Sequence, residues 1–295
     1  MAFRGLLCPV LIHITTCVRF QDEQEAAIMS PQTLQGLWNG PPLQGEEGQE
    51  VMRWVETLDA PDVYCKLLHK AAGDCADCSE CAERMKRTVL NETQDEILQI
   101  VKRQEASKTS RKPLAVFVLG AVGSGKTGFI KKRLEQELGN GNGFLRSAVH
   151  INADDLRSAL VGGYAIYSAM VNHKGFDRNM RWDANELRSA IQNMVWDYRV
   201  DVIADSMTLP AGVAESFLQK GFDVRVFHIE IAGSSHEEKV DRAKRDIEAR
   251  VAAGGHSAPS YVAQIVRSQQ SAEELRAVGV NVTSVIRRGN DFVVQ

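Results

Sequence analysis

The run Gly120-Ala121-Val122-Gly123-Ser124-Gly125-Lys126-Thr127 satisfies the pattern G-x-x-x-x-G-K-[ST] at every required position. An apolar segment, Leu114 to Leu119, precedes it and an amphipathic one, Lys126 to Leu138, follows, so the glycine-rich turn joins a strand to a helix. Backbone N–H groups in such a turn wrap an anion at a helix N-terminus, where the dipole favours negative charge. The loop from Gly120 to Thr127 is therefore expected to cradle the phosphates of ATP or GTP. Lys126 is expected on the β- and γ-phosphates, and the Thr127 hydroxyl on Mg²⁺. A chance glycine-rich turn is the alternative, and the strand–turn–helix context argues against it.

Such a loop demands a parallel sheet around it, and the chain past Pro113 reads that way. Short apolar runs at Leu114–Leu119, Ala148–Ile151, Val200–Ala204 and Val224–Ile231 alternate with helical stretches. Val280–Ile286 and Phe292–Val294 are expected to finish the sheet. Upstream, Val51, Trp54, Val55 and Leu58 recur at helical spacing, and 62–69 and 82–102 continue in that manner. The expected organisation is a leader over 1–30, a smaller helical region over 31–110 that could be regulatory, and an α/β P-loop kinase-like domain over 111–295. The polar, basic stretch Glu105–Lys112 reads as the linker between the last two.

Lys plus Arg number 35 against 38 for Asp plus Glu, a near balance with no field to draw in a polyanion, so nucleic acid is not the expected partner. No apolar run reaches the roughly 20 residues of a membrane-spanning helix, and no membrane partner is expected. A cytoplasmic location is the expectation. Gly5–Val18 is fairly apolar behind Arg4, so secretion or delivery as an effector stays open, although Pro9, His13 and the lack of a small-x-small site fit a signal peptide poorly.

All six cysteines fall in the first third, four of them at Cys65, Cys75, Cys78 and Cys81. With His69 they offer enough sulfur and nitrogen for zinc or an iron–sulfur cluster. The blander reading places Cys75, Cys78 and Cys81 on one helical face as small apolar residues, since positions three apart share a face and the paired knuckles of structural zinc modules are missing.

Beyond the loop, Ile151-Asn152-Ala153-Asp154-Asp155-Leu156-Arg157 puts carboxylates at the C-terminal end of the second strand, the edge where ligands bind in open α/β sheets. A carboxylate there can accept the proton of an attacking hydroxyl; equally, Asp154 or Asp155 can cap the helix expected near Leu156. Asp205-Ser206-Met207-Thr208 ends the third strand. Asp205 is a candidate for Mg²⁺ and Thr208 for the acceptor, against a plain strand-end turn. Glu186, on a helix expected from Asp183 to Tyr198, is a further candidate on the acceptor side. Arg242, Arg245 and Arg250 sit on a helical stretch before Gly254-Gly255 that could close as a lid. Arg250 is the first candidate for charge beside a transferring phosphoryl group and Arg245 the second; a solvated helix laced with Glu237, Glu238, Asp241, Asp246 and Glu248 is the alternative.

Three of these stretches together resemble the zeta toxin family of small-molecule kinases, from Gly120 to about Leu275. They are the P-loop; Ile151, Asn152, Asp154 and Arg157, matching an Ile-Asp-x-Asp-x-x-Arg segment; and Arg250-Val251-Ala252-Ala253-Gly254-Gly255-His256-Ser257-Ala258-Pro259, matching an Arg-Val-x-x-Gly-Gly-His-x-x-Pro run. The resemblance implies that Asp154 is the catalytic base, that Arg157, Asp205 and Thr208 lie at the substrate, and that a hydroxyl of a nucleotide-linked small molecule is phosphorylated. UDP-N-acetylglucosamine is the acceptor of the best-known toxins, with ATP or GTP and Mg²⁺. It also implies a helical antitoxin, a part that the chain's own helical region could play. The sequence departs from the family pattern at Asn152, at Leu160-Val161 and in the arginines after Pro259, where Arg267 stands alone. These changes leave the phosphate machinery intact and bear on the acceptor. A P-loop ATPase or switch protein, or a kinase for a nucleoside, dinucleotide or antibiotic, are the competing readings.

Overall fold

The structure is a computed structural model and describes residues 45–107, 111–139, 143–175, 177–258, 261–289 and 291–295. The expected leader over 1–30 and the start of the helical region, 31–44, lie outside the described residues.

Strand β1 (Leu114–Leu119) is apolar throughout and buried at all six positions, which makes it the middle of a sheet covered on both faces. The order is β2-β3-β1-β4-β5-β6, with β2 (Val149–Asn152), β3 (Val202–Ser206), β4 (Asp223–Ile231) and β5 (Val282–Arg288) parallel to β1. Only β6 (Asp291–Val294) runs antiparallel, against β5. Parallel pairing sends the C-terminal ends of β1, β2 and β3 to one edge.

Strand β3 lies two residues beyond the apolar run that announced it. Asp201 is the reason: its buried carboxylate accepts from Leu114 N–H at 2.8 Å and from Arg111 Nη1 at 3.1 Å, fixing where β1 and β3 begin. In that register Asp205 and Ser206 pair with Val118 and Leu119 at the site edge.

Side chains alternate across β1. Ala115, Phe117 and Leu119 face a core built with α3 (Cys78–Ser107), α7 (Ala153–Leu160), α9 (Arg178–Tyr198), α10 (Ala211–Gln219) and α12 (Tyr261–Ala277). Leu114, Val116 and Val118 face α4 (Lys126–Lys132), α5 (Leu134–Leu138), α6 (Phe144–Ser147) and Phe292 of β6. The single helix expected over 126–138 is thus two. Arg133 leaves helical geometry at φ −127°, and the chain resumes at Leu134.

The leading helices α1 (Gly45–Thr57), α2 (Ala60–Ala72) and α3 share cores with the rest of the chain. Val51, Val55, Val63, Leu67 and Leu68 pack with Tyr164, Tyr167 and Met170 of α8 (Tyr164–Lys174). Further along α3, Val89, Ile97 and Ile100 join the core beneath the sheet. The segment expected as a linker from Glu105 is still helical to Ser107. The three nearby cysteines do not share one helical face: Cys75 lies in the turn before α3, and the structure bonds it to Cys81, and Cys65 to Cys78. No described helix is long and apolar enough to cross a membrane.

Candidate active site

At the C-terminal edge of β1 the chain enters the P-loop, where Gly120 has φ 156°. A Cβ there would meet Ser124 Oγ at 2.5 Å and the Ile229 carbonyl at 2.7 Å, so only glycine lets the loop lie this close to β4. Gly120, Ala121 and Ser124 are buried beneath the loop, whereas Val122, Gly123, Gly125, Lys126 and Thr127 line a cleft of about 800 Å³. That volume is within the range of small-molecule sites. Lys126 Nζ donates to the Gly120 and Ala121 carbonyls at 2.9 and 3.3 Å and lies 3.7 Å from Asp205.

At the end of β2, Asn152 Oδ1 accepts from Asp154 N–H at 2.7 Å. Asn152 is therefore the N-cap of α7, and the capping role offered to Asp154 and Asp155 falls on it instead. This departure from the family's aspartate keeps a cap. The Asp154 carboxylate turns into the cleft. Its Oδ1 accepts from the Tyr167 hydroxyl at 2.7 Å and Arg157 Nη1 at 2.9 Å; its Oδ2 lies 2.9 Å from His256 Nε2 and 4.0 Å from Arg250. Burial alone would raise this carboxyl, but the hydrogen bond and charge of His256, the charge of Arg157 and the Tyr167 hydroxyl hold it far below the usual carboxylate range.

Arg250 lies in the last turn of α11 (His236–Ala252), and His256 in the turn that follows. Gly255 is required there, because a Cβ would sit 2.5 Å from Arg250 Cγ and 2.9 Å from its carbonyl. Helix α8 straps the turn down: Ser168 Oγ donates to the Gly254 carbonyl, Asn172 Nδ2 to the Gly255 carbonyl, and Asn172 Oδ1 accepts from Ser257 N–H. Arg250 then reaches the Tyr164 hydroxyl at 3.0 Å and His256 Nε2 at 2.6 Å. His256 Nδ1 is 2.9 Å from the Ser257 carbonyl, so Nδ1 carries a proton; Nε2 takes a hydrogen bond from Arg250 when the ring is neutral and gives one to Asp154 when it is charged.

Asp205 and Thr208 line the cleft beside Thr127. Burial pushes the Asp205 carboxyl up and the Asp154 charge adds to this, against the opposing pull of Lys126. A buried carboxylate and a threonine hydroxyl are hard oxygen donors on one wall, a set that fits Mg²⁺.

Two expected site residues lie elsewhere. Arg181, Asn185 and Arg188 present one stripe of α9 to the cleft, while Glu186, on the next stripe, pairs with Lys86 of α3 at 2.5 Å and is not among the lining residues. Arg245 lines a smaller cavity of about 170 Å³ with Arg242, Asp246 and Arg287 rather than the cleft that Arg250 enters, as their spacing of five on one helix dictates. Conversely, no role for Tyr164, Tyr167, His256 or Arg287 follows from sequence alone. Arg287 joins the P-loop to α11, donating to the Gly123 carbonyl and to Asp246 at 2.8 Å each. His256 lay in a motif already noticed, but Tyr167 sits mid-helix with nothing local to mark it.

Structures of known proteins share this architecture. The crystal structure of AvrRxo1-ORF1 with AvrRxo1-ORF2 and sulphate ions superposes with a TM-score of 0.52 at 12% identity, covering 72% of this chain and 66% of that one. The corresponding structure with ATP gives 0.51 at the same identity and coverage. The PezAT chromosomal toxin–antitoxin system of Streptococcus pneumoniae matches at a TM-score of 0.42 and 18% identity, over 68% of this chain and 82% of that one. A search of curated proteins finds no match. The zeta toxin family profile matches residues 97–294, which takes in the sheet, the P-loop, Asp154 and the arginine-bearing helix, and the chain belongs to the zeta toxin family.

Proposed function

We propose that this protein transfers the γ-phosphoryl group of ATP or GTP to a hydroxyl of a nucleotide-linked small molecule, with a sugar nucleotide such as UDP-N-acetylglucosamine as the favoured acceptor. One observation carries the reading: a single cleft is lined by Lys126 and Thr127 of the P-loop, by Asp154, and by Arg157 and Arg250. Phosphoryl transfer is chiefly positioning and charge stabilisation, and these are the parts it needs. Arg181, Arg188 and Arg267 line the same cleft, and this cationic wall suits an acceptor that carries phosphates of its own.

In the proposed reaction the triphosphate lies along the P-loop N–H groups, and Lys126 exchanges its carbonyl partners for the β- and γ-phosphate oxygens. Thr127 and Asp205 would hold Mg²⁺, which when bound would supply positive charge against the developing negative charge. The acceptor hydroxyl, oriented by Asp154, attacks phosphorus in line; the bond to the β–γ bridging oxygen breaks and the nucleoside diphosphate leaves. The hydroxyl proton passes to Asp154, with His256 Nε2 2.9 Å behind it to share the charge. A carboxylate held this acidic is a weak base. It suits a loose transition state, in which the attacking oxygen sheds its proton late.

Membership of the zeta toxin family supports a toxin restrained by an antitoxin. Among the described residues, none from α1 to α3 lines the cleft, so these helices act on the site from behind, through Tyr164 and Tyr167. The test is incubation with labelled ATP and a panel of nucleotide sugars, dinucleotides and nucleosides. Transfer to one of them establishes class and substrate together; hydrolysis alone, across the whole panel, would favour a nucleotide-driven switch.

A further inference from the structure

The hairpin joining α2 to α3 gathers ligands that the proposed reaction does not use. Cys65 and His69 lie one turn apart on α2, Cys75 is in the connecting turn, and Cys78 and Cys81 occupy the first turn of α3. The ligand atoms of Cys65, His69 and Cys78 lie within 4.8 Å of one another, as do those of His69, Cys75 and Cys81. His69 belongs to both sets, its Nδ1 3.3 Å from Cys81 Sγ and 3.7 Å from Cys75 Sγ. The turn is built to hold them. Gly73 N–H closes α2 on the His69 carbonyl, Asp77 Oδ1 caps α3 by accepting from Glu80 N–H, and Arg84 reaches back to the Ala72 carbonyl.

We propose that this hairpin is a zinc site when its thiols are reduced, with His69, Cys75 and Cys81 as its core and the fourth ligand drawn from the Cys65–Cys78 pair. That the thiols are reduced rests in part on the proposed function. A kinase works where ATP is abundant, and there thiol pools keep cysteines reduced. Each disulfide then takes two electrons and two protons from a dithiol reductant, which leaves as its own disulfide. Four thiols and an imidazole remain in one small shell. Zinc takes such a soft set tetrahedrally, with Zn–S about 2.3 Å and Zn–N about 2.0–2.1 Å, which places ligand atoms about 3.5–3.8 Å apart. Rotation about the Cα–Cβ bonds, which swings the Sγ atoms, closes the remaining ångström. Each thiol that binds gives up its proton. The absence of any carboxylate from either set argues against magnesium or calcium.

The consequence reaches the cleft. Cys81 and Ala82 are buried with Leu67, Leu68, Tyr164 and Tyr167, so the ion would pin the hairpin whose packing backs the two tyrosines. Oxidation to the two disulfides would expel the metal while keeping α2 and α3 joined.

The experiment uses the full chain, purified with a phosphine reductant and no nucleotide, so its outcome is independent of whether any acceptor is phosphorylated. Elemental analysis should find one zinc per chain that survives gel filtration. Replacement by Co²⁺ should give a thiolate-to-cobalt charge-transfer band. Cys75→Ser, Cys81→Ser and His69→Ala should each weaken zinc affinity at least tenfold, while Cys8→Ser and Cys17→Ser should not. Diamide should release the zinc as both disulfides form. Because the cobalt spectrum is read on the unaltered chain, it decides the matter even where a variant misfolds. A reduced chain that holds no zinc and shows no charge-transfer band, or zinc retained by all three hairpin variants, overturns the proposal.

Discussion

Asp154→Asn separates a catalytic carboxylate from a structural one with little collateral change. The amide oxygen can keep the bonds from Tyr167 and Arg157 that now go to Oδ1, and the amide N–H faces Nε2 of His256, where it shares that acceptor with Arg250 when the ring is neutral. The cap of α7 is untouched, since it belongs to Asn152. What is lost is charge. Hydrogen bonds to a charged group contribute about 1.5–3 kcal/mol against about 0.5–1.5 for neutral ones, so a net cost of about 2 kcal/mol is expected, or roughly 4–8 °C in Tm. The catalytic cost is larger. Removing a general base typically costs about 10²- to 10⁴-fold. The strongly depressed pKa of Asp154 makes it a poor proton acceptor, which places the expected loss near the lower end, about 10²-fold or about 2.7 kcal/mol of barrier. The assay is turnover at saturating ATP, with calorimetric ATP affinity and melting temperature as controls. A variant within threefold of the parent in turnover would refute the base assignment.

Lys126→Ala should weaken ATP binding at least tenfold by calorimetry, with the fold intact by circular dichroism; unchanged affinity would contradict the P-loop reading. Asp201→Ala should cost about 1–3 kcal/mol in urea unfolding, because it strands the buried Leu114 N–H, while the half-exposed Arg111 is left to water; a loss below about 0.5 kcal/mol would mean that water replaces the carboxylate there too. Removing residues 1–107 should unfold the protein rather than activate it: Val51, Val55, Leu67, Leu68, Ile97 and Ile100 alone, at about 1.5–3 kcal/mol each, approach the whole stability of a domain. A well-folded fragment of unchanged Tm would show the helices to be dispensable. Asp154, whose folded-state pKa is lowered, should contribute stability that is present above about pH 3.9 and is lost progressively as pH falls below it towards the folded-state pKa; Asp154→Asn should therefore have a flatter acid limb in urea titrations.

The elements most legible in the sequence were those whose reasons are local. The P-loop needs glycines at fixed places and announces itself, and β1 and β4 are apolar runs long enough to be read as buried strands. Register was less legible. Strand β3 shifts onto Asp205 because of a buried carboxylate at Asp201, a reason that appears only once β1 lies beside it. The surroundings of Asp154 are tertiary in origin: Tyr167 is thirteen residues away and His256 over a hundred, and helical spacing alone cannot say which stripe of α9 turns to the cleft and which to Lys86. The same limit applied to the cysteines, which become one cluster only when the turn before α3 folds Cys75 back towards His69.

The strand order also sets a timetable for synthesis. Strand β1 emerges early, but one of its two neighbours, β4, is more than a hundred residues further along the chain, and Arg287, which braces Gly123 against Asp246, comes later still. Phe292 of β6, the last strand, packs on Phe129 of the helix that leaves the phosphate loop. The loop is thus encoded well before the segments that brace it. A ribosome that has completed Thr127 has made every residue of the motif but neither strand that flanks β1, because pairings so distant in sequence form late. The phosphate loop would stay unbraced until residues 282–294 had cleared the exit tunnel.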